Sequence, residues 1–257
     1  MNIPLVSYLG SVPAMAVKLG GHDATVLFDT AGGLTVLTPQ GVQKAGCQPW
    51  GRMSGFRMRG DRLDMQRCND VALRMGDKLW TVPAVGVWDF SKLLPPNAPP
   101  LDGSVALDAF AGQTVTIDLS HHLLTVETPQ SAKQREAHAV EVPMRLAREV
   151  GGASITPMVA LPTPKGTLWF ELDCGSDAEM IVNRPVAEAL GLSPDKRGQT
   201  TKLNLAKGLS LDARANVTDL VVDGNLGAPL LRQMVITIDL ANQRLWLAPA
   251  AASDHQG

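Results

Sequence analysis

Residues 26–39 read VLFDTAGGLTVLTP. Three apolar residues run into Asp29, a Gly-rich bend follows at Thr30-Ala31-Gly32-Gly33, and the chain then turns apolar again. A carboxylate that closes a buried-looking strand needs a reason to be there. The stretch ELDCGSDAEMIV (171–182) has the same form: an extended run ends on Asp173, and Cys174-Gly175-Ser176 make the bend. Each copy leads into a helix-like segment, TPQGVQKAG (38–46) and NRPVAEALGL (183–192).

A second pair of segments repeats downstream. DGSVALDAFAGQTVTIDLSHHLLTV (102–126) aligns without a gap with DGNLGAPLLRQMVITIDLANQRLWL (223–247). Alternating residues, a polar turn and another apolar run predict a β-hairpin in each copy. Asp102-Gly103 and Asp223-Gly224 read as Asp-Gly turns. Asp118 and Asp239 read as strand-end residues, and His121-His122 as exposed turn residues. The chain is therefore duplicated: strand, Asp-bend, strand, short helix, strands, hairpin. The predicted fold is all-β, with two similar β-barrel lobes about a pseudo-twofold axis and a cleft between them. The expected units are an N-terminal lobe over 1–126, a connector over 127–150 and a C-terminal lobe over 151–257.

The bulk numbers fit such a fold. The chain has 257 residues, is 45% hydrophobic and carries 18 Pro and 24 Gly, which suits short strands with frequent turns. No apolar run reaches the ~20 residues of a transmembrane helix. A net charge of −2 with scattered Lys and Arg leaves no footprint for nucleic acid or anionic lipid. Three cysteines are not a disulfide framework; Cys47 and Cys68 either pair or stay free. Neither C-x-x-C nor H-E-x-x-H occurs, and no metal or organic cofactor is implied. The apolar stretch LVSYLGSVPAMA (5–16) lacks a basic start and reads as the first strands. Localisation stays open: periplasmic or secreted if a signal peptide has been removed, cytoplasmic otherwise.

Packing about a twofold would bring Asp29 and Asp173 together. Two adjacent carboxyls share one proton and titrate as a unit. Such a pair holds an acid and a base in one place, able to activate a water against a peptide carbonyl. Asp29-Thr30-Ala31-Gly32 and Asp173-Cys174-Gly175-Ser176 resemble the Asp-Thr/Ser-Gly signatures of aspartic proteases. Val105 to Phe110 and Leu226 to Leu231 look like the later apolar element of each protease lobe. The compact halves are most similar to retropepsins, here joined in one chain. The resemblance implies an aspartic endopeptidase with Asp29 and Asp173 as the catalytic pair. Thr30, Ala31, Gly32, Cys174, Gly175 and Ser176 would support them. It also implies an extended peptide substrate, no cofactor, and a monomer.

The pattern has departures. Ala31 and Ala106 stand where the signature has glycine, and Cys174 where it has a hydroxyl. A thiol is the weaker hydrogen-bonding group, so the bonding across the axis is expected to be one-sided. The covering hairpin is placed at 48–76, with Phe56, Met58, Arg59 and Gly60 at its substrate-facing end; its turn is Arg59-Gly60-Asp61. The sole tyrosine is Tyr8, so this hairpin lacks the tyrosine of pepsin-like enzymes. These departures define an alternative: a degenerate, non-catalytic aspartic-protease-like module that binds a peptide or protein.

Overall fold

The computed structural model describes residues 1–250, most of them in β-strands that form three sheets. The last seven residues of the expected C-terminal unit, 251–257, lie outside the described residues. Strand β1 (Asn2–Pro4) is followed by β2 (Val6–Tyr8), β3 (Val12–Leu19), β4 (His22–Phe28), β5 (Val36–Leu37), β6 (Trp50–Phe56), β7 (Arg62–Met75), β8 (Lys78–Val87) and β9 (Gly103–Val105). Strands β2 to β9 make an eight-stranded sheet with β6 at one edge. Next come β10 (Thr114–Asp118), β11 (Leu123–Val126) and β12 (Val140–Val142). Strands β13 (Met144–Ala147), β14 (Thr156–Thr163), β15 (Gly166–Asp173), β16 (Met180–Asn183), β17 (Gln199–Ala206), β18 (Leu209–Thr218) and β19 (Gly224–Gly227) form a seven-stranded sheet. The chain closes with β20 (Met234–Asp239) and β21 (Arg244–Pro249). These two join β1, β10, β11 and β12 in a six-stranded sheet that contains strands from both ends of the chain.

The sequence repeat is visible in the registers. Strands β3 and β4 pair with Ala14 opposite Leu27; β14 and β15 pair with Met158 opposite Glu171, the same offset. Strand β4 runs parallel to β9, and β15 runs parallel to β19. In the six-stranded sheet β10 and β20 are antiparallel, with Thr116 opposite Thr237, and their hydroxyls hydrogen-bond at 3.0 Å. Those two threonines correspond in the repeat, so each copy pairs with its own counterpart.

Alternation sets the burial. In β7, Met65, Cys68, Val71, Leu73 and Met75 face inward while Asp64, Gln66, Ala72 and Arg74 face solvent. The alternation slips around Asp70, which takes φ 49°, while the register with β8 stays constant from Asn69 opposite Ala84 to Val71 opposite Val82. The main core runs through both halves; in the first, Phe110 meets Phe28 and Trp80 edge-on at 6.3 and 5.3 Å. Cys47 and Cys68 form a disulfide that ties β7 to the end of helix α1 (Pro39–Ala45). A second helix, α2 (Pro129–Ala137), lies within the expected connector, where β13 pairs with β14.

The Asp-Gly turns are not turns. Gly103 and Gly224 lie in buried strands that run beside β4 and β15. Asp102 accepts the Thr25 N–H at 2.9 Å and pairs with Lys44 at 2.8 Å; Asp223 accepts the Trp169 N–H at 2.8 Å. Local turn propensity lost to burial in a sheet. The glycines are there for close approach: a Cβ on Gly224 would stand 2.0 Å from Phe170 Cε1. Gly224→Ala is therefore expected to cost about 1–3 kcal/mol, and to lower Tm by several degrees in calorimetry. Phe170→Leu in the same chain should recover part of that loss, a coupling that an independent pair of sites would not show.

Candidate functional site

Asp29 and Asp173 close β4 and β15, each at the start of a bend. The Asp29 N–H donates to Val105 O at 3.0 Å, which fixes the strand end on β9. Each carboxylate caps its own bend. Asp29 Oδ1 accepts from the N–H groups of Ala31 (3.0 Å) and Gly32 (2.9 Å), and Asp173 Oδ1 accepts from Gly175 N–H at 2.9 Å. The Gly175 backbone passes so close to Asp29 that a Cβ there would lie 2.5 Å from its Cγ. Only glycine fits, and the approach brings Asp29 against the second bend, near enough for its charge to act on Asp173.

The bends interlock. Thr30 Oγ1 donates to Leu172 O at 2.5 Å and accepts from Cys174 N–H at 2.9 Å. Cys174 Sγ donates to Phe28 O at 3.1 Å and accepts from Thr30 N–H at 3.3 Å. Both side chains are buried. The expectation of one-sided bonding is thus corrected. The thiol makes the same two bonds as the hydroxyl, lengthened by the larger sulfur. Burial pushes the thiol pKa well up, so Cys174 stays an S–H donor and not a nucleophile.

Burial raises the pKa of both aspartates, against the N–H bonds that favour the charged form. Asp173 is pushed well up, first by burial and then by the charge of Asp29. Two further acids share this region. Glu171 is pushed to about 7, chiefly by burial, with the charges of Asp29 and Glu149 adding to it. It faces Asn225 in the β15–β19 register, where the other half places Leu27 beside Ser104. Asn225 is fully buried; its Nδ2 donates to Asp173 Oδ2 at 2.5 Å and its Oδ1 has no partner among the described residues. Asp108 receives Thr35 N–H at 3.0 Å and Thr35 Oγ1–H at 2.7 Å, and burial still raises it to about 6. Sequence reasoning singled out neither Glu171 nor Asn225. The available signal was parity: Glu171 lies on the Asp173 face of an otherwise apolar strand. Among the described residues no three His, Cys, Asp or Glu side chains are placed to hold a metal ion.

Residues Phe56 to Gly60 lie at the turn that joins β6 to β7. Phe56 is exposed, Arg57 N–H donates to Asp61 O, and Gly60 N–H donates to Arg57 O. Arg59 occupies the turn between, and Met58 O accepts the Val221 N–H at 2.9 Å, so the hairpin tip rests on the other half. The Ser176 hydroxyl accepts from Ala178 N–H at 3.4 Å, and its carbonyl accepts from Ala228 N–H at 2.9 Å and anchors the second bend.

No family model and no curated protein sequence matches the chain. Among solved structures it is similar to basic 7S globulin from soybean, at 11% identity and TM-score 0.64, covering 100% of this chain and 96% of that one. It is also similar to conglutin gamma, a basic 7S globulin from lupine seeds, at 11% identity and TM-score 0.61, covering 98% and 95%. The likeness is one of fold. It runs to seed globulins, which corrects the expected membership of the retropepsin-like proteases and the expectation of a hydrolase. The physical departures agree with that correction: Ala31 and Ala106 replace glycines, sulfur replaces a hydroxyl, and the hairpin is tied down at its tip.

The raised acids fix the sign of the pH dependence. A carboxyl raised in the fold stabilises fully below its unfolded pKa, and that contribution is lost as pH rises through the folded value. Stability should therefore be highest near pH 4–5 and fall through pH 6–7, where Asp108 and Glu171 ionise. Glu171→Gln is expected to match wild type at pH 4.5 and to exceed it at pH 8 by up to about 3 kcal/mol. Urea unfolding at both pH values checks this, and an equal difference at both would refute it.

Proposed function

We propose that the chain is a non-catalytic, aspartic-protease-like module that binds an extended peptide or protein segment. In this reading residues 1–126 and 151–257 are two similar β-barrel lobes joined by 127–150. A pseudo-twofold passes between Thr116 and Thr237, a placement supported by the pairing of these counterparts across β10 and β20. The segment lies in the cleft between the lobes, above Asp29 and Asp173 and below the β6–β7 hairpin, with its backbone in a strand-like layer of hydrogen bonds. The observation that carries the reading is the reciprocal Thr30–Cys174 grip. It keeps two bends and two carboxyls in a protease-like arrangement while the surrounding residues depart from the protease pattern. The carboxyls then serve the bends, through the N–H groups of Ala31, Gly32 and Gly175, and the hairpin residues Phe56, Met58, Arg59 and Gly60 serve recognition.

The partner is a protein or peptide, with no role for nucleic acid at a net charge of −2. Among the described residues no helix is long and apolar enough to cross a membrane. The Cys47–Cys68 disulfide supports an oxidising, exported location, and the module acts as a monomer. The test is retention of an unbiased peptide library by the immobilised full chain between pH 4 and 8, with every peptide weighed before and after. Bound peptides of unchanged mass are expected. Phe56→Ser should weaken their retention about tenfold, while the exposed Leu79→Ser should not. Failure to retain any peptide would overturn the reading, and cleaved products would overturn its non-catalytic part.

A further inference from the structure

The turn that joins β2 to β3 is three residues long, Leu9 to Ser11. Its counterpart between β13 and β14 spans Arg148 to Ile155 and is far longer. The extra residues turn toward the β6–β7 hairpin. Glu149 Oε2 accepts the Phe56 N–H at 3.2 Å, a donor on the free edge of β6. Val150 Cγ2 stands 3.5 Å from where a Cβ on Gly55 would be. Val150 and Ala153 pack against the small cluster of Leu34, Met53 and Met65, which lies between the first bend and the hairpin. Ile155 N–H donates to Gly33 O at 2.7 Å, so the loop also rests on the Asp29 bend.

This seat is held against backbone strain. Val150 has φ 51°, a left-handed conformation that a β-branched residue rarely adopts, and Gly151 and Gly152 continue it at 66° and 91°. The turn is kept by Gly152 N–H to Glu149 O (2.9 Å), Glu149 N–H to Ser154 Oγ (2.5 Å) and Arg148 Nη1 to Gly152 O (3.3 Å). A strained valine under a hairpin, with an acid on an unpaired strand edge, is what a bound peptide would supply.

We propose that the Arg148–Ser154 loop is a built-in ligand of the hairpin site. It covers the apolar cluster of Leu34, Met53 and Met65, and a partner segment must displace it. The partner that fits carries an acidic residue for the Phe56 N–H, then a β-branched aliphatic residue for the cluster, then small residues. Displacement releases the Val150 strain, which favours exchange of one occupant for the other. The partner chemistry rests on the peptide-binding reading above; the occlusion by the loop does not.

The full chain carrying Glu149→Gln and Val150→Gly tests both parts. Neither change introduces bulk, and glycine suits the left-handed position, so the fold should persist. Hydrogen exchange followed by mass spectrometry needs no ligand. Amides of 53–65 should exchange about tenfold faster or more in the variant, with β14 and β15 unchanged. Equal exchange in variant and wild type would overturn the built-in ligand. The peptide library is then offered to both proteins. Retention stronger on the variant and enriched in acidic–aliphatic segments supports the partner chemistry; retention without that enrichment overturns it. Faster exchange with no peptide retained on either protein would uphold the occlusion, overturn the partner chemistry and locate the failure in the peptide-binding reading.

Discussion

The exchange of hydrogen bonds between Thr30 and Cys174 is the constraint on which the rest depends. Each side chain donates to a carbonyl of the opposite half and accepts from the other's N–H, all in a buried setting. Removing either partner would strand buried donors and acceptors, a cost of roughly 1–3 kcal/mol for each group. The geometry also dictates the electrostatics. Once the bends interlock, Asp29 and Asp173 have to meet, and both must be held above their ordinary pKa. The raised pKa of that pair is a consequence of the packing and requires no chemistry to explain it.

A duplicated scaffold makes asymmetry informative. Where the first half places Leu27 beside Ser104, the second places Glu171 beside Asn225. Where the first half turns in three residues, the second extends a loop that reaches the hairpin. The core registers, by contrast, keep a constant offset between the halves. Packing holds the common part fixed, so the lone acid, the amide and the long loop stand out as additions to a shared frame.

Much of the arrangement was legible in the residues. The ungapped repeat located both closing hairpins, and the two Asp-bends upstream of it marked the ends of β4 and β15, because equivalent segments bury equivalent faces. The hairpin at 48–76 followed from alternation and a Gly turn. Other features were hidden for identifiable reasons. Asp102-Gly103 has the local chemistry of a turn, and only the neighbouring strands show that its glycine admits the backbone of Val36. Cys174 looked too weak to bond because thiol strength was weighed without geometry; at 3.1 and 3.3 Å its sulfur spans the gap a hydroxyl would leave. Glu171 was lost in an apolar run, and the role of 148–155 depends on contacts far away in sequence. The catalytic expectation failed differently. The fold is similar to that of two basic 7S globulins, and a fold does not carry an activity with it, so shape and chemistry are separate questions on this scaffold.

That separation follows from what the carboxyls do when no reaction is asked of them. Asp29 satisfies the N–H groups of Ala31 and Gly32, and Asp173 satisfies those of Gly175 and the Asn225 amide. Loss of either acid would leave these donors at the base of the bends without an acceptor and weaken the turn that presents Thr30 or Cys174 to its partner. The aspartates are therefore held in place by the same interlock they support. A chain on this scaffold can change its glycines, its hydroxyl and its covering loop and still be obliged to keep two adjacent carboxyls. The pair marks the fold's mechanical centre first, and its chemical use depends on whether the space above it is open.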